Sequence, residues 1–160
     1  MDFTTRLLQP EDNPGIAKVI RQVMEEFHVA LPGSVYTDPT TDALYELFKT
    51  PESRYWVVQS DAGIVGGGGI YPTQGLPRGY CELVKFYLLP QVRGRGLGKL
   101  LIEKCFLAAR EYGFTFMYLE SFPELQTAIQ LYSKSGFEHV DAALGQSGHF
   151  ACNIWMVKKL

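Results

Sequence analysis

Apolar residues in this chain fall into two kinds of spacing, and the change from one to the other marks out its elements. Ile16, Val19, Ile20, Val23 and Phe27 recur at helical intervals, which predicts an amphipathic helix with that face in the core. Asn13-Pro14 opens it, with Asn as the cap and Pro at the first helical position, where a missing N–H costs nothing. Leu31-Pro32-Gly33 breaks it. A second start signal, Asp38-Pro39, precedes the stripe Ala43, Leu44, Leu47 and Phe48, and Thr50-Pro51 ends that segment. Further on, Leu97, Leu100, Leu101, Cys105, Ala108 and Ala109 predict a helix from about Gly96 to Tyr112, stopped by Gly113. A capping box at Ser121 and Glu124, with Pro123 in the first turn, predicts a last helix carrying Leu125, Ala128, Ile129 and Tyr132, closed by Gly136.

Shorter segments with strand-like composition lie between these helices. Residues 2 to 8 read as an edge strand. Arg54 to Ser60 and Ile64 to Tyr71 read as a hairpin about the turn Asp61-Ala62-Gly63. Gly66 to Gly69 weaken the second of these strands but let a backbone or ligand come close. Pro72 to Gly79 is a loop, and strands are expected at 80 to 89, Thr115 to Glu120, Phe137 to Val140 and Phe150 to Lys158, with a loop from Asp141 to His149. The order β-α-α-β-β-β-α-β-α-β-β gives an α/β (α+β) class, a mixed central sheet flanked by helices on both faces. Residues 1 to 160 are expected to form one domain, since 160 residues at 46% hydrophobic content can build one core and not two ordinary ones.

Charge and cysteines narrow the function. A net charge of -2 with mixed signs supplies no global field for nucleic acid or an anionic membrane, so neither is an expected partner. The start of the chain lacks a basic segment followed by an apolar stretch, and no run reaches the about 18 apolar residues of a membrane span. Cys81, Cys105 and Cys152 are an odd number with no C-x-x-C, and no histidines pair at metal spacing, so no metal is expected and a reducing cytoplasm fits.

The segment from 80 to 112 reads as strand, glycine-rich turn and helix, an order that presents unpaired backbone N–H groups to phosphate oxygens. It is not a P-loop: Arg93 stands where a glycine is needed five residues before Gly98, and Leu100 where Ser or Thr must follow Lys99. Glycines at 94, 96 and 98 do not make the dinucleotide fingerprint either. They match Gln/Arg-x-x-Gly-x-Gly/Ala through Gln91, Gly94 and Gly96, and Leu131-Tyr132-Ser133-Lys134-Ser135-Gly136-Phe137 matches a later Leu-Tyr-x-x-x-Gly-Phe. On these two motifs the sequence resembles the GCN5-related N-acetyltransferase (GNAT) family over essentially its whole length.

The resemblance implies an acetyl-CoA-dependent N-acetyltransferase that moves an acetyl group to a primary amine of a small molecule or amino acid by direct attack in a ternary complex. It implies the same element order, with the fourth and fifth strands splayed around the pantetheine arm. Nothing in the periodicity shows that splay. By motif position, Gln91, Val92, Arg93, Gly94, Arg95, Gly96, Leu97, Gly98 and Lys99 are the expected seat of the diphosphate, with main-chain donors from Val92 onward and Arg93 and Arg95 as candidate phosphate partners. Phe86 and Leu88 are expected to pair with the pantetheine, and the Leu88 N–H to face the developing oxyanion. Tyr132 takes the position of the family's general acid; by spacing alone it is a core aromatic. A non-catalytic acyl-CoA sensor of the same fold is the alternative.

Two carboxylates are candidates to deprotonate the amine. Strand alternation puts Glu82 on one face with Val84, Phe86 and Leu88, where desolvation would raise its pKa, unless Lys85 or an arginine neutralises it. Glu120, at the end of the fifth strand, is the second, or else a helix N-terminal charge beside Ser121. His149 borders the expected acceptor cleft, and the cysteines, with no histidine at a nucleophile's spacing, read as small buried hydrophobes. Residues 27 to 45, 71 to 80 and 145 to 150 are expected to build the acceptor side. Phe27, Tyr36, Tyr45 and Tyr71 suggest a moderately apolar pocket without an obvious acidic wall. A homodimer is compatible with this reading, and sequence does not fix whether the last strand exchanges between protomers.

Overall fold

A computed structural model describes residues 2–160 of the chain. Seven strands form one sheet: β1 (Thr4–Leu7), β2 (Arg54–Ser60), β3 (Gly63–Tyr71), β4 (Tyr80–Leu88), β5 (Phe116–Ser121), β6 (Glu138–Val140) and β7 (Ile154–Lys159). Four helices accompany them: α1 (Asn13–Glu26), α2 (Leu44–Leu47), α3 (Leu97–Glu111) and α4 (Gln126–Lys134). The element order is the expected one, and the spatial order is β1-β2-β3-β4-β5-β7-β6. No helix among the described residues is long and apolar enough to cross a membrane.

Helices do cover both faces. Arg54 and Tyr55 are strand neighbours and point to opposite sides. Arg54 pairs with Glu111 at the end of α3 and lies over the Tyr112 ring. Tyr55 meets Phe48, just past α2, with ring centroids 5.0 Å apart. The α1 face supplies Ile16, Val19, Ile20, Val23 and Met24 to the core, all buried.

Two features of β4 shape the site. First, β3 and β4 lose register between Gly67↔Tyr87 and Gly69↔Val84, so Lys85 and Phe86 together oppose Gly68. This is a β-bulge, and Lys85 takes a φ of 50° at it. Residues paired across a ladder share a face. Glu82 and Val84 pair with Tyr71 and Gly69, but Leu88 pairs with Gly66 on the other side, and the Phe86 ring packs where a Gly68 side chain would be. The expected common face of Glu82, Val84, Phe86 and Leu88 therefore ends at Val84, because the extra residue turns the strand over. Second, β4 and β5 run parallel and stay paired only from Tyr80↔Phe116 to Glu82↔Tyr118. Beyond that β4 continues to Leu88 and β5 to Ser121 without pairing, so the sheet splits.

Three local expectations change. Asn13 is the first residue of α1, not a cap: its side chain accepts from Tyr45 N–H (2.8 Å) and donates to Glu46 (2.8 Å), tying α1 to α2. Ser121 and Glu124 do not form a capping box. Ser121 stays in β5, where it pairs with Ile154, and α4 starts only at Gln126. Phe150 does not open the last strand; it is 83% exposed. Its neighbour Ala151 donates N–H to Gly33 O (2.9 Å), so this stretch docks on the loop after α1, and β7 begins at Ile154.

Candidate active site

The split between β4 and β5 holds two adjoining cavities that share Phe86, Tyr87 and Leu125. The larger, about 260 Å³, runs from Val23 and Phe27 past Leu88 to Gly94, Gly96 and Gly98. The smaller, about 40 Å³, is lined by Glu82, Glu120, Tyr132, Lys85, His149 and Cys152 among others.

At the outer end of the larger cavity the chain makes a tight 3-10 turn, Pro90–Val92, then two left-handed glycines, Gly94 (φ 74°) and Gly96 (φ 78°), and enters α3. The amides of Gly94 through Lys99 have no acceptor in the protein among the described residues; the first bond of the helix is Leu100 N–H to Gly96 O (3.0 Å). Six successive donors at a helix N-terminus are a fit for a diphosphate. The row begins later than expected. Val92 and Arg93 use their N–H groups on Leu89 O and Pro90 O, and the Val92 side chain is buried in the core.

Arg93 is also otherwise engaged. Its two terminal nitrogens hold Glu26 (2.8 and 2.9 Å), its Nε donates to Leu88 O (2.9 Å), and it lies over the Phe27 ring. It braces β4 against α1 while lining the larger cavity, so its guanidinium already has partners in the protein. Arg95 leans on Phe3, with Nε 3.4 Å from Gln91 O, while Lys99 and Gly98 border the cavity from the first turn of α3 and Leu97 begins that turn.

Leu88 presents its main chain to the split. Successive residues of a strand aim their N–H groups at opposite edges. Leu89 N–H bonds Val65 O on the β3 side (2.9 Å), so Leu88 N–H faces the open side, where Leu88 O already receives Arg93.

Glu82, Glu120 and Tyr132 are brought to the smaller cavity together. Glu82 is buried, and Thr73 donates to its Oε1 (2.6 Å). Burial, followed by the nearby Glu120 charge, pushes its carboxyl up to about 8, against the opposing pulls of Thr73 and Lys85. Glu120 accepts from the hydroxyls of Tyr118 (2.7 Å) and Ser147. Tyr132 is buried edge-on against Phe86 and Phe137, and its hydroxyl has no hydrogen-bond partner in the protein among the described residues. Burial, with the nearby Cys105, keeps its phenol proton well above the ordinary tyrosine range. Burial also pushes the Cys152 thiol up to about 12, which keeps it protonated and a poor nucleophile.

The far wall was not legible in advance. Asp38 caps the 3-10 turn Pro39–Asp42 by accepting from Thr40 N–H (2.9 Å) and Thr40 Oγ1 (2.7 Å). Its other oxygen lies 2.7 Å from His149 Nε2 and 3.6 Å from Lys85 Nζ. Burial would raise Asp38, but the His149 hydrogen bond, Lys85 and Thr40 together hold it well below the usual carboxylate range. Burial lowers Lys85 from its usual value, opposed by Asp38 and Glu82. Lys85 thus pairs with Asp38 and not primarily with Glu82. The four aromatics expected to line this pocket do not; Phe86, Tyr87, Phe122 and Tyr132 do. Tyr36 bonds Glu25, Tyr45 lies beneath Lys49, Tyr71 meets Thr50 and Phe48, and Phe27 borders the larger cavity. An acidic wall exists instead, made by Glu82 and Glu120 on two strands that sequence spacing does not join.

A sheet parted between two parallel strands, with a row of unspent amides at one end and two carboxylates and a tyrosine further in, defines an acyl-CoA-dependent acyltransferase. The chain belongs to the acetyltransferase (GNAT) family, whose model matches residues 20–137. It is 46% identical, over 97% of its length and 93% of the relative's, to the uncharacterized N-acetyltransferase YjgM of Escherichia coli K12. Among solved structures, a GNAT acetyltransferase of Staphylococcus aureus Mu50 superposes with a TM-score of 0.87 at 17% identity, covering 99% of each chain. PaiA N-acetyltransferase from Thermoplasma acidophilum, solved in complex with coenzyme A, superposes with a TM-score of 0.75 at 18% identity over the whole of both chains.

Proposed function

We propose that this chain transfers the acetyl group of acetyl-CoA to a primary amine of a small molecule or amino acid, both substrates being bound at once. Acetyl-CoA supplies the thioester. The Gly94–Lys99 amides hold its diphosphate, and the splayed edge of β4 from Phe86 to Leu88 receives the pantetheine arm. The Leu88 N–H stands at the carbonyl oxygen as negative charge builds there. Glu82, with a carboxyl near 8, takes the proton of the incoming amine. Glu120 stands beside it in the same cavity. The C–N bond forms as the C–S bond breaks, and Tyr132 gives its proton to the departing sulfur. Its phenol is neutral and its hydroxyl has no partner in the protein among the described residues, so it is free to turn toward the sulfur. The buried, unpaired cysteines suit a reducing cytoplasm.

One observation carries this reading: the unspent amide row and the Glu82, Glu120 and Tyr132 cluster open into cavities with common walls. Calorimetry with coenzyme A, together with thiol release from acetyl-CoA measured across an amine panel, tests it. Micromolar binding and amine-dependent release are expected. Binding that ignores Gly96→Ala, or no release with any amine, overturns it.

A further inference from the structure

A cation is built into the wall of the amine pocket, and that is the wrong charge to greet an amine. Lys85 is only 7% exposed and lines the smaller cavity. Its φ of 50° belongs to a region that asparagine or glycine enters at lower cost than lysine. Its ammonium carries three donors, yet its nearest carboxylate oxygen, Asp38 Oδ2, is 3.6 Å away, long for a hydrogen bond. That oxygen is already held at 2.7 Å by His149, and Oδ1 of the same residue accepts both Thr40 bonds. Arg21, the other cation acting on Lys85, is itself bound bidentately to Asp42. Among the described residues Lys85 therefore has donor capacity that the protein does not fill, and it lines the smaller cavity.

We infer that the acceptor is a free amino acid or closely related amino carboxylic acid, whose carboxylate is taken by the Lys85 ammonium while its amine faces Glu82 and Glu120. The inference rests on the transferase reading above and names the substrate class of that same site. An amine without an anion would bring positive charge toward a buried ammonium and leave that ammonium's donors unsatisfied. A zwitterion reverses both effects, with each charged end meeting its opposite. The space fits a compact head group. The cavity is about 40 Å³. Beside it three loops are tied together, through Gln146 N–H to Gln74 O (2.7 Å), Ala151 N–H to Gly33 O (2.9 Å) and His149 to Asp38 (2.7 Å), and His149 reaches the cavity wall. A polypeptide tail needs an open groove instead.

The test compares the proteinogenic L-amino acids, β-alanine and γ-aminobutyrate, each against its carboxamide and its descarboxy amine, by thiol release from acetyl-CoA. A charge-assisted hydrogen bond is worth roughly 1.5–3 kcal/mol, so the best acid should exceed its own amide about tenfold to a hundredfold in kcat/KM. Lys85→Met should collapse that ratio toward one, with the change in acceptor KM. The wild-type ratio stands even if the variant fails to fold. Amides or descarboxy amines that equal the acids overturn this inference and leave the transferase reading intact, as does a Lys85→Met variant that still melts cooperatively and binds coenzyme A but loses acid and amide activity equally. Silence with every acceptor overturns both.

Discussion

The Tyr55 hydroxyl donates to the Lys85 carbonyl at 2.6 Å, although the two residues are 30 apart in sequence and sit on strands separated by β3. The phenol reaches across β3 because Gly67 and Gly69 have no side chains. A Cβ at Gly67 would lie 2.7 Å from the Tyr55 ring, and one at Gly69 2.3 Å from Arg54 O. The bulge displaces Lys85 from the ladder, and Tyr55 supplies the bond its carbonyl would lack. The glycine run thus serves the site indirectly, by letting a tyrosine brace the residue that turns β4 over.

Tyr55→Phe should leave that carbonyl without its partner, which costs about 1–3 kcal/mol. For a chain of this size that is a Tm lower by about 2–12 °C. Coenzyme A affinity should change less than kcat, since the amide row is on another segment. Gly67→Ala should be worse, because Trp56 O, a backbone atom at 2.8 Å, must also move. Scanning calorimetry and steady-state kinetics check both. A Tyr55→Phe protein as stable as the wild type would contradict the bracing role.

Gly96→Ala and Arg93→Gln should separate two roles that look alike on paper. Gly96 sits at φ 78° with open space around it, so alanine strains the backbone by about 1–2 kcal/mol and puts a methyl group beside the donor row. Coenzyme A should bind at least about tenfold more weakly, a loss of about 1.4 kcal/mol. Arg93→Gln breaks the clasp between Glu26 and Leu88 O. It should lower Tm by a few degrees while weakening coenzyme A less than Gly96→Ala does. The reverse ranking by calorimetry would return Arg93 to the phosphate site.

Much of this was readable from spacing. Helical periodicity located α1 and α3, and two short motifs located the amide row and Tyr132, because these depend on residues close in sequence. The misreadings share one cause. Alternation put Glu82 and Leu88 on one face, and only the extra residue opposite Gly68 separates them. Ser121 and Glu124 have the spacing of a capping box, yet β7 claims the Ser121 backbone and no box forms. Asp38 reads as a cap and is one, but its second oxygen meets His149 across 111 residues. Local rules report the first engagement of a residue, whereas the site is made of second ones.

Tyr132→Phe should be nearly silent in stability and loud in turnover. Because the hydroxyl has no partner among the described residues, removing it leaves no buried group there unsatisfied, and the ring contacts with Phe86 and Phe137 remain. Loss of a general acid typically costs about 10²–10⁴-fold in rate, so kcat should fall by at least about a hundredfold with Tm unchanged within a degree or two. Retained kcat would assign the tyrosine to the core alone.

Glu82 makes the pH dependence specific in sign. Its carboxyl, moved from 4.5 to about 8 in the folded protein, must be ionised to accept a proton, so kcat/KM should climb with pH and level off near that value. Glu82→Gln should remove the climb and lower activity by about 10²-fold or more. Glu120→Gln should shift the climb to lower pH, because the charge of Glu120 is one of the causes that hold Glu82 up. Stability should run the other way. Between 4.5 and about 8 the folded state keeps a proton that the unfolded chain releases, so this group's contribution falls as pH rises through that window, by at most about 1.4 kcal/mol per pH unit. Wild-type Tm should therefore decline from pH 6 to 8 relative to Glu82→Gln, over the same range in which activity rises. Parallel Tm profiles for the two proteins would show that Glu82 ionises as an ordinary surface acid and would remove it as the base.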